Sequence, residues 1–370
     1  MGPRSRFEVR LEAVADAQQV APLWHALCAT TRPSFFQSWD WIGNWLTGMP
    51  ATEQPLLLAA YRDGTPQAAC FLVRKSTRRH LWVPSTVLHV NVTGERDYNL
   101  NPEYNGILAT EAATPDVQAA MLAFLVDEVD DWDEIYLPAT GESERQQLRA
   151  ASRALGLRLI TRHRAHCYRV DLAALRHAGT GYRQTLSRNA RYQLNRAFNR
   201  YRQAGKVRIE QAPDLATAYT WFEELKALHT ASWRQRGYRG TFDKKYWEPF
   251  HRSLMAHLFP AGRIQMLRIR AGDTDIGYLY NVLDGKQVLF IQSGFRYSSD
   301  PHLKPGYVSH TLAIENNLHA GLDSYNFLAG DERYKNSLAQ PADELYWLAI
   351  QKPRLRFSIE NGLRRLLRPG

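Results

Sequence analysis

The segment Ala329-Gly330-Asp331-Glu332-Arg333-Tyr334-Lys335 sets two acids, a tyrosine and two cations just beyond a short apolar run, Tyr325–Leu328. Residues past a strand end are well placed for work on a substrate. Asp331 or Glu332 can accept a proton from an amine, Tyr334 can donate one to a thiolate leaving group, and Lys335 can hold a phosphate or carboxylate. A charged surface turn with a local Asp–Lys pair reads the same way. Upstream, Asp300-Pro301-His302-Leu303-Lys304-Pro305-Gly306 leads into Tyr307 and a helix expected over Val308–Ala320. Proline fixes a φ angle, glycine permits close backbone approach, and Lys304 adds charge. With the first N–H groups of the helix, from Val308 on, such a turn can cradle a pyrophosphate. It is equally an ordinary strand-to-helix turn. Neither a G-x-x-x-x-G-K-[ST] loop nor a G-x-G-x-x-G loop is present. A third stretch, His229 to Gly240, ends a helix in a basic aromatic loop. There Trp233 with Arg234, Arg236 and Arg239 can grip a flat or anionic ligand, or merely complement a helix C-terminus. A lone histidine such as His229 is more often structural than catalytic.

Other chemistries find little support. The three cysteines, Cys28, Cys70 and Cys167, are far apart and make no metal spacing, which fits a reducing cytoplasm. His163-Arg164-Ala165-His166-Cys167 falls in a segment read as a strand, where neighbours alternate faces, so no metal is assigned. Ser293-Gly294 lacks the preceding glycine of a nucleophile elbow. The basic N-terminus has no apolar core of a secretory signal, and no window approaches a membrane span. The net charge of +10 favours an anionic partner: a nucleotide cofactor, nucleic acid, or an acidic lipid or glycan surface. From Leu172 to Ile209 there is no acidic residue, while Arg183, Arg188, Arg191, Arg196, Arg200, Arg202, Lys206 and Arg208 are basic. The basic stretch Lys352–Arg368 reads as a docking helix or as a weak contact with the inner membrane face.

These candidates need a scaffold of strands and helices. At 370 residues and 44% hydrophobic, the chain has room for two ordinary domains. In the second half, a basic helix over Tyr182–Ala204 precedes a strand at Val207–Gln211. A helix capped by Asp214 runs to Arg236, and another from Asp243 to Leu258. Further strands are expected at Ile264–Arg270, Ile276–Asp284 and Gln287–Phe295, the last two joined by an Asp284-Gly285 hairpin signal. The first half offers a helix over Phe35–Leu46, strands at Leu56–Tyr61 and Gln67–Arg74 around Asp63-Gly64, a helix from Thr114 to Val129, a strand at Glu134–Leu137, and a helix from Ser143 to Gly156. The two halves share this order without a sequence repeat.

The run Ser232–Phe242 (SWRQRGYRGTF), the Lys304-Pro305-Gly306 turn, the helix bearing Glu315, and Tyr325–Lys335 (YNFLAGDERYK) resemble the CelD/BioF-like acetyltransferases of the GNAT superfamily, which are related to FemAB-type aminoacyltransferases. The resemblance is strong over roughly residues 180–340, and Phe35–Trp45 (FFQSWDWIGNW) is similar to the N-terminal part of such proteins. It implies an α/β fold of two GNAT-like lobes, each a mixed, mostly antiparallel sheet flanked by helices: residues 1–165, then 166–350 carrying the acyltransferase site, then a basic tail, 351–370. It implies acetyl-CoA or another acyl-CoA as donor, with Lys304, Pro305, Gly306, Tyr307 and Val308 at its pyrophosphate. His229, Trp233 and Arg236 would shape the acceptor cleft, and Asp331, Tyr334 and Lys335 would lie nearest the chemistry. The acceptor would be an amine or hydroxyl of a cell-surface polysaccharide precursor or related metabolite. Two other functions fit the same resemblance: a FemAB-type transferase drawing on aminoacyl-tRNA, and a catalytically silent scaffold in polysaccharide synthesis.

Overall fold

The computed structural model describes residues 6–79, 83–330, 332–357 and 359. Its strands, in chain order, are β1 Glu8–Ala13, β2 Leu56–Arg62, β3 Thr65–Arg79, β4 Val83–Val90, β5 Leu108–Ala109, β6 Glu134–Gly141, β7 Arg158–Asp171, β8 Val207–Gln211, β9 Ile264–Ala271, β10 Thr274–Asp284, β11 Gln287–Phe295, β12 Ser324–Ala329 and β13 Gln340–Gln351. The α-helices are α1 Ala17–Thr30, α2 Trp39–Thr47, α3 Asp116–Glu128, α4 Glu142–Ala154, α5 Leu172–His177, α6 Tyr182–Thr185, α7 Arg188–Arg202, α8 Leu215–Gln235, α9 Trp247–Leu258, α10 Pro305–His319 and α11 Arg333–Leu338. The chain forms two units, Met1–Arg164 with Glu344–Gly370, and Ala165–Asp343. Each is a mostly antiparallel sheet flanked by helices.

In the first unit the strand order is β1-β2-β3-β4-β6-β13, with β5 beside β3. The β2–β3 hairpin turns at Asp63-Gly64, both with positive φ (50° and 75°), as a tight turn between twisted strands requires. Leu72, Leu88, Val90, Ile135, Leu137 and Leu348 pack on α3 and α4, and Trp24 of α1 stacks on Phe71 at 5.0 Å. The helix expected from Phe35 is split: a 3-10 turn, Phe35–Gln37, precedes α2. The helix expected from Thr114 begins at Asp116. β13, expected in a continuous second lobe, lies antiparallel to β6, with Leu345 opposite Gly141 and Gln351 opposite Glu134. Beyond it Arg354 and Arg356 both pair with Asp133, and Phe357 is buried. Most of the tail read as basic and amphipathic lies outside the described residues.

In the second unit the order is β7-β12-β11-β10-β9-β8. The long basic helix is broken in two because Leu186 is extended (φ −70°, ψ 149°), and Ser187 restarts it by accepting the Ala190 N–H. Asp214 caps α8 as expected, accepting from Thr217 N–H at 2.7 Å. α8 lies hard against β11: a Cβ on Gly294 would sit 2.2 Å from the Leu225 carbonyl oxygen.

The two units share one device. In the first, β4 and β6 pair in parallel over only Val87–His89 and Glu134–Tyr136. In the second, β11 and β12 pair over only Gln287–Leu289 and Ser324–Asn326. Each second strand then bulges against its antiparallel neighbour, and each carries a left-handed residue, Ala139 (φ 52°) or Leu328 (φ 60°). Beyond the bulge the parallel strands part. In the first unit the connection after β4 folds back over this opening. Asn91 Nδ2 donates to Asn105 Oδ1 (2.9 Å) and the Gly106 carbonyl (2.8 Å), and Asn105 N–H donates to the Ala139 carbonyl (3.1 Å). Ile107 N–H donates to Glu144 Oε1 at 2.7 Å. Burial pushes the Glu144 carboxyl up to about 8, with the Ile107 bond pulling the other way. In the second unit, residues 296–304 are shorter and mostly exposed.

Both the close approach of α8 and the buried carboxyl bear on stability. Gly294→Ala drives a methyl group into the backbone of α8 and should cost about 2 kcal/mol in urea unfolding. A raised carboxyl pKa stabilises the fold fully only below the unfolded value, and that contribution is lost as pH rises through about 8. Glu144→Gln keeps an acceptor for Ile107 without the charge. It should raise Tm at pH 9 and leave it unchanged or lower at pH 4, as scanning calorimetry would read.

Candidate active site

The opening between β11 and β12 is the centre of the second unit. One edge is the outer half of β11, Ile291 to Phe295, where residues 291–293 are half-buried. Arg296 N–H donates to the Ile276 carbonyl, at 2.9 Å. In the ladder that pairs Tyr278 with Gly294 and Tyr280 with Gln292, alternate residues face β10, so Ser293 turns its N–H and C=O the other way, toward the opening. Neither group meets β12. The N–H donates to Gln292 Oε1 at 2.9 Å, and the C=O accepts from His229 Nδ1 at 3.2 Å.

His229 reaches that edge from α8. Because a carbonyl only accepts, Nδ1 carries the proton and Nε2 is the lone-pair nitrogen. Nε2 is buried without a hydrogen-bond partner. Gly240 closes over it: a Cβ there would stand 2.9 Å from Nε2. Phe242 and Trp233 flank the ring at 5.2 and 5.7 Å. Burial lowers the pKa of His229, partly offset by the Ser293 carbonyl and Gln292. Four residues on, Trp233 is 36% exposed. Arg236, at the end of α8, lies over Tyr297 at 5.3 Å. The structure thus brings His229, Trp233 and Arg236 to one end of α8, against the strand and loop that lead to the expected donor turn.

That turn differs from expectation. α10 begins at Pro305, not Val308, with Lys304 as its uncapped N-cap. Proline suits a first helical position because its missing N–H would be unpaired there anyway. Pro305, Gly306 and Tyr307 are therefore the first turn of the helix, and the N–H groups left without an intrahelical acceptor are those of Gly306 and Tyr307. The Val308 N–H donates to the Lys304 carbonyl at 3.2 Å, and its side chain is fully buried, so Val308 offers a ligand neither group. Lys304 Nζ lies 5.7 Å from the Tyr307 ring. α10 is fixed from behind by buried amides: Gln265 donates to Asn317 Oδ1 (2.8 Å), and Asn281 donates to Gln265 Oε1 (2.9 Å).

The other edge is made by β12, the turn at Gly330 and α11. Asn326 Oδ1 accepts the Leu328 N–H at 2.8 Å, which holds the left-handed kink that turns β12 away. Asp331 lies outside the described residues. The expected polar loop Gly330–Lys335 is in part a helix, since α11 takes in Tyr334 and Lys335. Lys335 is buried, its Nζ donating to the Ala329 carbonyl at 2.7 Å and pairing with Glu332 at 3.2 Å. Tyr334 stacks on His310 of α10 at 5.5 Å, and burial raises its pKa, so it remains a neutral hydroxyl. His310 Nδ1 is 3.0 Å from Tyr325 Oη. Burial, then Lys335, brings its pKa down to about 3. His310 also meets Phe295 at 5.8 Å, joining α10, α11 and the end of β11 in one aromatic cluster. Sequence reasoning weighed Ser293 only as a nucleophile, and missed Gln292 and His310. The signal for the first two was only their place near the end of an apolar strand.

Among the described residues no cluster of metal-ligating side chains occurs, and no helix is long and apolar enough to cross a membrane.

Residues 188–336 match the family described as the acetyltransferase (GNAT) domain. No curated protein matches the sequence. Among solved structures the chain is similar to FemX, at 11% identity and a TM-score of 0.55, covering 92% of this chain and 96% of that one. It is similar to L-PGS from Bacillus licheniformis, at 11% identity and a TM-score of 0.51, covering 94% and 97%. A conserved protein of unknown function from Bacteroides thetaiotaomicron is similar at 11% identity and a TM-score of 0.52, covering 93% and 100%. At such identities the likeness is one of fold. The matched segment holds the opening between β11 and β12, α10 and most of α11; with a GNAT-type acetyltransferase domain there, the chain is a transferase.

Proposed function

We propose that the second unit transfers an acyl group, most simply acetyl, from acyl-CoA to an amine or hydroxyl, as the CelD/BioF-like resemblance implies. One observation carries the reading: β11 parts from β12 with the Ser293 N–H turned outward, and the end of β11 packs on the first turn of α10, where a Cβ on Gly306 would stand 3.2 Å from the Phe295 ring. The donor pyrophosphate sits at the Gly306 and Tyr307 N–H groups, with Pro305 setting the turn and Lys304 adding charge. The thioester lies along β11, where its carbonyl oxygen takes the Ser293 N–H. The acceptor enters between Trp233 and Arg236. Its nitrogen or oxygen attacks the thioester carbon, the C–S bond breaks as the new bond forms, and the acceptor's proton balances the departing thiolate. The rate comes mainly from positioning and from hydrogen bonding to the developing oxyanion. Tyr334, as a neutral hydroxyl, donates a hydrogen bond near the leaving sulfur. Lys335 acts from beneath, holding the Ala329 carbonyl at the rim. A cell-surface polysaccharide precursor is the acceptor class that the resemblance suggests.

The aminoacyl-tRNA reading draws on α7. Its outer face exposes Arg188, Arg191, Arg196, Arg200 and Arg202 with Tyr192, and its sequence contains no acid. The silent-scaffold reading predicts that no donor binds.

Calorimetric titration separates the first reading from the others. Acetyl-CoA should bind at micromolar concentration, and Lys304→Glu should weaken it about tenfold or more. Absence of binding sinks the acyl-CoA reading. For the tRNA reading, binding of charged tRNA should fall steeply between 50 and 200 mM salt. Arg191→Glu with Arg196→Glu should flatten that slope, by about one unit for each phosphate no longer neutralised. Salt-independent binding, or none, excludes it.

A further inference from the structure

Alternate residues of the central strands of the first unit carry polar side chains to the sheet face opposite α3 and α4. Lys75 of β3 lies beside Val87 of β4, Val87 beside Glu134 of β6, and Glu134 beside Gln351 of β13, so one row crosses four strands. Their chain neighbours Leu88, Ile135 and Ile350 point the other way, into the apolar core. The row is not a solvated surface, because Glu134 is 4% exposed and Gln351 is fully buried. Glu134 Oε2 accepts from Arg162 Nη2 and from Gln351 Nε2, each at 2.6 Å. Taking a carboxylate and a guanidinium out of water costs more than packing apolar side chains in their place. Such a floor is poor packing, but it is a good wall for a polar ligand.

Over this floor lies a cavity of about 520 Å³, within the range of about 300–1,000 Å³ usual for small-ligand sites. Lys75, Thr77, His89, Glu134, Tyr136 and Arg162 line it. Lys75 is held there by Glu53 and, at 2.9 Å, by Glu95. Gly94 closes one side against His89, where a Cβ would stand 2.6 Å from the ring. His89 meets Tyr136 edge to face at 5.5 Å. Burial brings the pKa of His89 down to about 4, and burial, then Glu134, raises that of Tyr136 to about 12, so both are uncharged at neutral pH. The hydroxyls of Tyr136 and Thr77 have no hydrogen-bond partner among the described residues. A second cavity of about 580 Å³ shares Lys75 and Glu95 and continues toward Thr52 and Tyr98.

We propose that this cavity of the first unit binds an uncharged oligosaccharide. Charge decides the class. The chain as a whole is +10, yet here two cations, Lys75 and Arg162, face three carboxylates, Glu53, Glu95 and Glu134, and each cation is already paired. A polyanion gains nothing from such a wall, and a cation finds each carboxylate already engaged. A hydroxyl differs from both because it donates and accepts at once. Sugar hydroxyls take hydrogen bonds from Lys75, Tyr136 and Thr77 and give one to Glu95, with no change in net charge. The apolar C–H face of a sugar ring suits the rings of Tyr136 and His89. The continuation past Lys75 and Glu95 gives room for a chain of such rings rather than a single one.

Saturation-transfer NMR and calorimetry on the full chain test this with probes of matched length: cellotetraose and maltotetraose (uncharged), tetragalacturonate (anionic) and a glucosamine tetramer (cationic). An uncharged tetramer should bind with a Kd of about 0.1–1 mM. Its affinity should change little between about 50 and 500 mM salt. Tyr136→Phe and Thr77→Ala each remove a hydroxyl that holds nothing in the protein, so Tm should stay where it is while affinity falls about threefold to tenfold. No acyl donor enters the measurement, so the result stands apart from the transfer proposed for the second unit. Tighter binding of either charged tetramer overturns the inference. So does an affinity unchanged in both variants, or no binding of either uncharged tetramer at about 10 mM.

Discussion

Parallel pairing between β11 and β12 ends at Leu289 and Asn326, and the rest of the site is a consequence of that ending. Two strands can part only if each finds other partners for its backbone. β12 does so through its own side chain and β7: Asn326 takes the Leu328 N–H, Leu328 accepts a left-handed φ of 60°, and Ala329 resumes pairing opposite Cys167. β11 keeps β10 on one side and covers Ser293 on the other with His229 and Gln292. The buried Gln265–Asn281–Asn317 amides hold α10 to β9 and β10, so its first turn is fixed relative to that edge.

The first unit holds the same opening in a filled form. Its β4 and β6 part after three pairs as well, but the next connection folds over them and is locked by Asn91, Asn105 and Glu144. The connection is held there by Asn91 and Asn105, its Ile107 N–H bonds Glu144, and its short β5 pairs with β3. The same architecture therefore has different consequences in the two units, decided by the length and packing of one connection. That contrast is why we propose the second unit as the place of the acyl donor.

Much of this was legible in the sequence. The strands at Ile264–Arg270, Ile276–Asp284 and Gln287–Phe295 are found within a residue or two, since alternation and the Asp284-Gly285 turn fix them. Asp214 announces α8, accepting the Thr217 N–H at the helix start. Two features were not legible. The outward aim of Ser293 depends on ladder parity, which a bulge between Tyr280 and Asn281 resets and no residue type reveals. Lys335 reads as a surface cation, yet the short helix α11 folds it inward onto the Ala329 carbonyl. The start of α10 was readable in principle, because Pro305 is the residue type that favours a first helical position.

The most direct test is amide hydrogen exchange with and without acetyl-CoA. Slowed exchange confined to residues 291–296 and to Gly306 and Tyr307, with no change over 91–109, is the predicted result. Protection in the connection of the first unit, or none along the outer half of β11, would contradict it.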